Sequence, residues 1–422
     1  PYFPQTAAAE FEPIPVTDET PLGRAIISLR QKGLGIHYGY WLITGKPKIV
    51  LFELDSLLKE VDAIKGRIWD NHKISTLGVE DLVNQTIVFG EMIRLLLTEV
   101  AEENKNKTQL VAHFHEWMAS TGLPDLKKDK VKISTVFTTH ATMLGRYLAG
   151  NVPNFYDVIE NFDWFKEAKH YGIEAQACFE RAAAQKADVL TTVSDITAKE
   201  CQYFLGRIPE LILPNGLNIQ RFAALHEHQN LHSKYKQSIS NFVMGHFFQS
   251  QPFDLDQTLY LFTSGRFEYS NKGYDITLDA LSILNRKMKE AGSKKTVVMF
   301  FVTKQPYHSI DPEVLHSRAV LDEIRENCHA IEKEVGEHLF KASASSNDLQ
   351  LPDLNAFVDE YWRMRLRRTV QTWKTNARPK VVTHLLKQED DIIRNLHRTN
   401  LLNNPEDKVK VVYHPDFIVS TN

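Results

Sequence analysis

Short apolar runs alternate with amphipathic stretches along the first half of the chain, which predicts strands followed by helices. The strand-like runs are Lys48–Leu54, Leu110–His115, Lys132–Thr138, Asp188–Val193 and Leu211–Pro214. Apolar residues three and four positions apart predict helices between them, such as Ile87–Thr98 and the alanine-rich Ile173–Gln185. Short strands that alternate with helices are typical of a parallel sheet covered on both faces. Ligands of such sheets gather at the carboxyl ends of the strands.

A second series of the same kind follows a polar helical stretch, Gln229–Phe248. Gln257–Thr263 and Lys295–Val302 read as strands, and Asp275–Ala291 reads as an amphipathic helix. We therefore predict a domain boundary near 245–256.

Residues 310–377 interrupt the alternation of strands and helices. Two apolar series with helical spacing begin at Ile324 and Leu354, and the polar stretch Lys341–Pro352 separates them. This pattern predicts a helical hairpin with seam-like faces. The two helices could pack on their own domain or could join subunits. Strand-like runs return at Lys380–Leu386 and Lys408–Ile418.

Composition narrows the class of protein. The 422 residues suggest two or three domains, at a prior of about 150 residues each. A net charge of −3 gives no overall basic field for coating nucleic acid. Three cysteines are too few for a disulfide framework and fit a reducing compartment. No apolar run approaches the ~18 residues of a membrane span.

Histidines follow two successive predicted strands. His113 and His115 alternate along a strand and should point the same way, whereas Glu116 should point to the other face. They could form hydrogen-bonded strand ends, donate to a sugar or phosphate oxygen, or bind a metal with a third ligand. His140 lies among threonines at the next strand end, so both groups should open on one crevice.

Glu180 and Arg181 are adjacent on the alanine-rich helix. The two side chains could form an internal ion pair. Alternatively, Arg181 could be aimed at a phosphate.

The stretch Ser264–Asp275 joins a predicted strand to a predicted helix and is the most informative part of the chain. Gly265 allows the backbone to approach a ligand, and Arg266 and Lys272 bring two cations to the turn. The helix N-terminus adds partial positive charge. The combination suits a diphosphate, and a solvated basic loop is the alternative.

Other motifs argue against other chemistry. Asp254 and Asp256 have the spacing of some metal-binding glycosyltransferase motifs but precede a strand, so we interpret them as turn residues. The sequence contains no Gly-x-Gly-x-x-Gly, P-loop, Gly-x-Ser-x-Gly or His-Glu-x-x-His. Hydride transfer, kinase, hydrolase and zincin chemistry therefore lack their usual signatures.

Long motifs, in order over nearly the whole chain, resemble the glycogen synthase family of the animal and fungal type, glycosyltransferase family 3. They are "AHFHEWMASTGLP" from Ala112, "STVFTTHATMLGRYLAG" from Ser134, "CFERAAAQKADVLTTVSDITAKE" from Cys178, "LPNGLNIQRF" from Leu213, "FTSGRFEYSNKGYD" from Phe262 and "DKVKVVYHPDFI" from Asp407.

The resemblance implies an α/β fold of GT-B type, with two Rossmann-like domains and the active site in the cleft between them. It implies a cytoplasmic enzyme that transfers glucose from UDP-glucose to the non-reducing end of an α-1,4-glucan, with retention and without a metal. The donor-phosphate residues would be Arg266, Lys272 and Arg181. His113, His115, His140, Asn215 and Gly265 are candidates for the cleft and the sugar.

The resemblance also implies a domain organisation. Residues 1–250 would form the first Rossmann-like domain, and 251–309 with 378–422 part of the second. Residues 310–377 would be a helical insertion through which subunits form tetramers.

The chain departs from the family pattern in three places. Ala175 stands where the family has a histidine, so either another histidine such as His170 substitutes for it or that contact is missing. The first strand with its Lys-Val-Gly-Gly loop should lie before Pro1. The catalytic glutamates and an arginine-rich glucose 6-phosphate helix should lie beyond Asn422, so we expect this segment alone to be inactive.

Two alternatives to glycogen synthesis remain open at this point. One is a GT-B glycosyltransferase with a different nucleotide-sugar donor. The other is a non-catalytic subunit that binds or assembles on glucan.

Overall fold

The structure is a computed structural model that describes residues 10–43, 45–104, 108–217, 219, 225–345 and 352–418. The chain divides into two compact units after Leu217. No helix in the described ranges is both long and apolar enough to cross a membrane.

The first unit opens with a three-stranded antiparallel sheet that the sequence analysis did not foresee. Its strands are β1 (Phe11–Pro13), β2 (Gly35–Trp41) and β3 (Lys48–Glu53), in the order β1-β2-β3. Of these, only β3 was predicted as a strand. Helix α1 (Pro21–Gln31) lies between β1 and β2, and the Thr20 hydroxyl caps it by accepting the Gly23 N–H at 3.0 Å.

A four-stranded parallel sheet forms the centre of the first unit, as predicted. Its order is β4-β5-β6-β7. The strands are β4 (Val111–His115), β5 (Ser134–Thr139), β6 (Val189–Thr192) and β7 (Leu211–Ile212). Phe137 and Leu190 are fully buried against Ala183 and Ala184 of the alanine-rich helix, so small helix residues let that helix pack closely on the sheet.

The remaining helices of the first unit surround this sheet. They are α2 (Asp55–Leu58), α3 (Val61–His72), α4 (Asp81–Glu102), α5 (Glu116–Ser120), α6 (Leu123–Lys128), α7 (Met143–Asn151), α8 (Trp164–His170), α9 (Glu174–Lys186) and α10 (Asp195–Glu200). A π-helical turn, Cys201–Leu205, continues α10.

The second unit contains a three-stranded parallel sheet and a two-stranded antiparallel one. The parallel strands are β8 (Thr258–Ser264), β9 (Thr296–Val302) and β12 (Val409–His414), in the order β12-β9-β8. The antiparallel pair is β10 (Tyr307–Ile310) and β11 (His384–Leu386). The helices are α11 (Leu225–Phe247), α12 (Tyr274–Glu290), α13 (Pro312–Ser345), α14 (Glu360–Trp373) and α15 (Asp391–Thr399).

Helix α11 packs within the second unit. Its Val243 and Phe247 are fully buried with Val298 of β9 and Val412 of β12. The sequence analysis placed this helix in the domain 1–250, because its polar composition hid this apolar face.

Helices α13 and α14 follow β10 and precede β11 in the chain, and they contact each other. Asn327 and Thr369 are buried and lie 3.4 Å apart across the pair, and Arg365 pairs with Glu323 at 3.6 Å. Helix α13 continues to Ser345, into the predicted polar break, and residues 346–351 of that break lie outside the described residues.

A buried ion network joins α3, α4 and α6. Asp125 accepts hydrogen bonds from His72 Nε2 at 2.7 Å, Asn71 Nδ2 at 2.9 Å and Arg67 Nε at 3.1 Å. Burial by itself would raise the pKa of Asp125, but the bonds from His72 and Asn71 and the Arg67 guanidinium outweigh it and hold the pKa well below its usual range. The ionised carboxylate therefore stabilises the folded state.

We predict that Asp125→Asn lowers the free energy of unfolding by about 2–3 kcal/mol at pH 7, because it removes a buried, charge-assisted acceptor. Asp125 contributes this stability above its unfolded pKa of about 4 and loses it as the pH falls through the lower folded value. The deficit of the variant should therefore shrink below about pH 4. Urea denaturation of both proteins at several pH values measures this difference in the free energy of unfolding.

Asp129→Asn is the matched control. Asp129 follows α6 and pairs with Arg94 of α4 at 3.1 Å, but the side chain of Asp129 is about half exposed. Its loss should cost less than about 1 kcal/mol. Equal destabilisation by the two variants would contradict a special role for the buried network.

Candidate functional site

Three imidazoles meet at the carboxyl ends of β4 and β5, and we call them the imidazole row (His113, His115 and His140). The rings of His113 and His115 are 4.2 Å apart, as expected for alternate residues on one face of a strand. His115 Nδ1 lies 3.2 Å from His140 Nε2. The structure therefore brings together the two histidine groups that the sequence predicted to share a crevice.

The row is tied into the sheet by threonine hydroxyls. His113 Nε2 lies 2.7 Å from Thr138 Oγ1, which in turn lies 2.5 Å from Thr191 Oγ1. Burial, together with the neighbouring His113 and His140, lowers the pKa of His115. A neutral imidazole has both a donor and an acceptor nitrogen, which suits contact with hydroxyl groups.

Glu116 differs from the sequence-based expectation. It leaves β4 with φ at +63°, in the left-handed region, and its carboxylate accepts the backbone N–H of His140 at 2.9 Å. The Glu116 side chain therefore reaches the loop that carries His140. Continued alternation along the strand would instead have turned it to the other face of the sheet. A non-glycine residue in this conformation at a strand end is typical of a functional site.

Glu180 and Arg181 do not form the internal ion pair that was one of the two alternatives for them. Glu180 accepts from Thr139 Oγ1 and Met143 N, whereas Arg181 donates to the backbone carbonyl of Phe204 at 2.5 Å. Successive residues of a helix point about 100° apart, so their side chains do not face each other.

Arg181 is enclosed in the first unit by an aromatic ring and a glycine. Its guanidinium lies 4.6 Å from the centre of the Trp164 ring, in cation–π contact. On another side it meets Gly206, where an added Cβ would lie 2.6 Å from Nη2. Its proposed role at a phosphate stays a prediction.

Three other residues singled out by the sequence lie apart from these contacts. Ala175 is buried in an apolar cluster with Phe179. His170 is exposed, with its ring against Tyr171. Asn215 is exposed after β7. Ala175 therefore occupies its position as a packing residue.

In the second unit the predicted basic turn follows β8. Gly265 N donates to Val302 O of β9 at 3.1 Å, which keeps the start of the turn beside the sheet. The side chain of Arg266 is 72% exposed, and its Nη2 lies 3.3 Å from Glu268 Oε1. The guanidinium is thus mostly in solvent and available to an anion.

Lys272 completes this turn. Its stem lies against Gly265, since a Cβ there would sit 3.6 Å from Lys272 Cδ. Gly273 follows with φ at +67° and begins α12 without a side-chain cap. Two cations therefore meet at the start of a 17-residue helix, which favours an anionic ligand. Two N–H groups of its first turn are already taken, since Tyr274 N donates to Tyr269 O and Ile276 N to Asp275 Oδ1.

The aspartates before β8 form a turn, as we interpreted them. Asp254 Oδ1 accepts the Asp256 N–H at 2.9 Å, as in an Asx turn. Within the part of the chain that the structure describes, no three or more His, Cys, Asp or Glu side chains are grouped to hold a metal ion.

Glu200, Trp164 and Gly206 contact these sites, and the sequence analysis passed over them. Glu200 is buried and accepts from Thr142 N and Oγ1, at the loop that carries His140. Gly206 ends a helical run, which is the usual signal for a left-handed terminating glycine. For Trp164 and Glu200 no local signal exists, because their partners are distant in the chain.

Comparison with known proteins gives one consistent result. A family model described as glycogen synthase matches residues 1–422. A glycogen (starch) synthase of Neurospora crassa is 40% identical over 421 residues, covering 99% of this chain and 59% of that protein. One of Dictyostelium discoideum is 42% identical over 426 residues, covering 100% of this chain and 48% of that protein.

Isoform 1 of Saccharomyces cerevisiae is 38% identical over 413 residues, covering 95% of this chain and 58% of that protein. The chain thus spans roughly half to three fifths of the length of these curated relatives.

We predict that Gly206→Ala displaces the Arg181 guanidinium from Trp164, because the new methyl group and Nη2 cannot both occupy the observed positions. The left-handed backbone (φ +70°) adds about 1–2 kcal/mol of strain. Tryptophan fluorescence and urea denaturation measure the two effects.

Gly172→Ala is the matched control, since Gly172 has φ at +67° but nothing within 4 Å of an added Cβ. It should show the backbone cost alone, with unchanged fluorescence. Indistinguishable effects of the two alanines would mean that Arg181 does not depend on Gly206.

Proposed function

The chain belongs to the glycogen synthase family, and on that premise we propose that the protein transfers glucose from UDP-glucose to the non-reducing end of an α-1,4-glucan. The anomeric configuration is retained. The family match over residues 1–422 is the observation that carries this proposal.

The basic turn after β8 is the proposed site of the donor diphosphate. Transfer passes through an oxocarbenium-like state while UDP leaves with negative charge. Arg266, Lys272 and the N-terminus of α12 are positioned to stabilise that charge without a metal ion. Gly265 keeps the turn close to the sheet edge, so the diphosphate can approach the backbone.

The imidazole row is the proposed sugar-facing wall of the first unit. His115, whose lowered pKa keeps it neutral at pH 7, can donate to one hydroxyl group and accept from another. Asn215 and Arg181 remain candidates at the sugar and at the donor phosphate. Arg181 would act from a guanidinium already oriented by Phe204 O and Trp164.

We also propose that the two units correspond to the Rossmann-like domains of a GT-B enzyme, with α13 and α14 inserted into the second. Each unit carries a parallel sheet whose strand ends bear the residues named above, which supports this assignment. The three free thiols, Cys178, Cys201 and Cys328, support a cytoplasmic location.

We predict that Arg266→Ala lowers the rate of UDP release from UDP-glucose in the presence of glycogen by about 10²–10³-fold, since loss of one preorganised donor costs ~3–4 kcal/mol of barrier. Initial rates of UDP release measure this. ADP-glucose, assayed in parallel, tests the alternative donor.

Arg286→Ala is the control for the Arg266 variant, because it removes an equal charge from the exposed face near the other end of α12. It should turn over normally. Normal turnover by Arg266→Ala would contradict a role for Arg266 at the donor phosphate. Faster turnover of ADP-glucose than of UDP-glucose would mean that ADP-glucose is the donor.

Residues 310–377 are the proposed contact between subunits of a tetramer. Phe340 of α13 and Met364 of α14 are 74% and 60% exposed, which leaves large apolar side chains in water on the isolated chain. Burial of such side chains between copies of the chain would stabilise an oligomer.

We predict that the double variant Phe340→Asp, Met364→Asp lowers the mass measured by sedimentation equilibrium, because two charges would have to be buried at the contact. Ile276→Asp, at an equally exposed position of α12, should leave the mass unchanged. An unchanged mass for the double variant would mean that α13 and α14 pack only within their own unit and do not join subunits.

A further inference from the structure

Three glutamate side chains hold the loop between β5 and α7, which carries His140. Each comes from a different helix and accepts one backbone N–H of the loop. The pairs are Glu116 with His140 N at 2.9 Å, Glu200 with Thr142 N at 3.0 Å and Glu180 with Met143 N at 2.8 Å. The hydroxyls of Thr139 and Thr142 also lie against Glu180 and Glu200.

These N–H groups are therefore not available to an anion. Backbone N–H groups between a parallel strand and a helix are commonly where phosphate binds. Here protein carboxylates already take three of them. Glu200 also packs so closely that a Cβ on Gly145 would lie 2.2 Å from its Oε2. The loop's remaining chemical feature is the imidazole of His140.

Glu180 lies at the centre of this arrangement. It is 1% exposed, on α9, and it contacts both ends of the loop, at Thr139 and at Met143. His140 lies between these two anchors, and its Nε2 contacts His115, whose ring in turn contacts His113. A shift of the loop would therefore be transmitted to the whole imidazole row.

We propose that Glu180 is a positioning residue that fixes the loop 139–143 and, through His140, the orientation in which the imidazole row meets the sugar. This inference rests on the proposed function for its kinetic consequences. The claim that Glu180 positions the imidazole row depends only on the contacts described above.

The protonation of Glu180 makes the proposal testable. Burial, with help from the nearby carboxylates of Glu116 and Glu200, raises the pKa of Glu180 to about 8 against the opposing bonds from Met143 and Thr139. The thiol of Cys201 also faces this group. At pH 7 the neutral acid is therefore the main form, with one oxygen accepting from Met143 N and the other sharing a hydrogen bond of 3.1 Å with Thr139 Oγ1.

Glutamine reproduces that neutral acid in shape and in both hydrogen bonds, whereas alanine removes them. We therefore compare Glu180→Gln and Glu180→Ala in the full-length protein. The control is Glu174→Gln, near the start of the same helix, where the carboxylate is half exposed and lies 3.8 Å from Lys169.

Two measurements are made on each protein. The first is kcat and KM for UDP-glucose, with glycogen, across the pH range in which Glu180 titrates. The second is the rate at which diethyl pyrocarbonate modifies His115 and His140, followed by peptide mass spectrometry. The second reports on the imidazoles without requiring turnover.

We expect Glu180→Ala to lower kcat about 10²-fold with little change in KM, the cost of a misplacement of about 1 Å. Modification of His115 and His140 should become faster. Glu180→Gln should match the wild type at pH 7 but should keep its rate and its histidine reactivity above about pH 8, where ionisation of Glu180 disturbs the wild type. Glu174→Gln should match the wild type throughout.

Histidine reactivity in Glu180→Ala equal to that of the wild type would overturn the proposal. If Glu180→Ala does not fold, identical pH dependence of histidine reactivity in the wild type and Glu180→Gln would overturn it instead. If no protein turns over UDP-glucose, the proposed function fails, while the reactivity of His115 and His140 still decides the positioning role.

Discussion

Parallel pairing of short, buried strands is the constraint on which both units depend. It places the carboxyl ends of β4, β5 and β6 at one edge of the first sheet, and those of β8, β9 and β12 at one edge of the second. Residues far apart in the chain, such as His115 and His140, become neighbours only because their strands run side by side in the same direction. The chemistry of each unit is therefore concentrated in the loops that follow these strands.

The strand edges of the two units differ in charge. In the first unit, the carboxyl groups of Glu200 and Glu180 accept backbone N–H groups at the start of α7, and the imidazole row lies beside them. In the second unit, Arg266 and Lys272 bring two positive charges to the start of α12. The net charge of −3 hides this division because it sums over the whole chain.

Two buried carboxyl groups of the first unit differ in protonation because their neighbours differ. Asp125 remains ionised among His72, Asn71 and Arg67, whereas Glu180, with neutral donors and two nearby carboxylates, is more stable as the neutral acid. Identical chemistry thus produces opposite protonation states, because the neighbours either compensate the desolvation of the charge or add to it.

The sequence by itself missed α6, α8, β10 and α15, and it began the helical hairpin at Ile324 instead of Pro312. It determined the parallel sheets, most of the other strands and helices from residue 110 onward, the pairing of the histidine groups and the basic turn. Each follows from local patterns of apolar residues and of glycine and charge. The antiparallel sheet at 11–53 escaped because β2 includes two glycines and β1 has three residues, so neither shows a clear alternation.

Tertiary structure alone decided the partners of Glu116, Glu180, Arg181 and Glu200, and the packing of α11 on the second sheet. Adjacency in the chain suggested that Glu180 would meet Arg181, yet the helix turns them apart and each finds a partner tens of residues away. Such contacts depend on how helices and strands are brought together, and no local pattern encodes that.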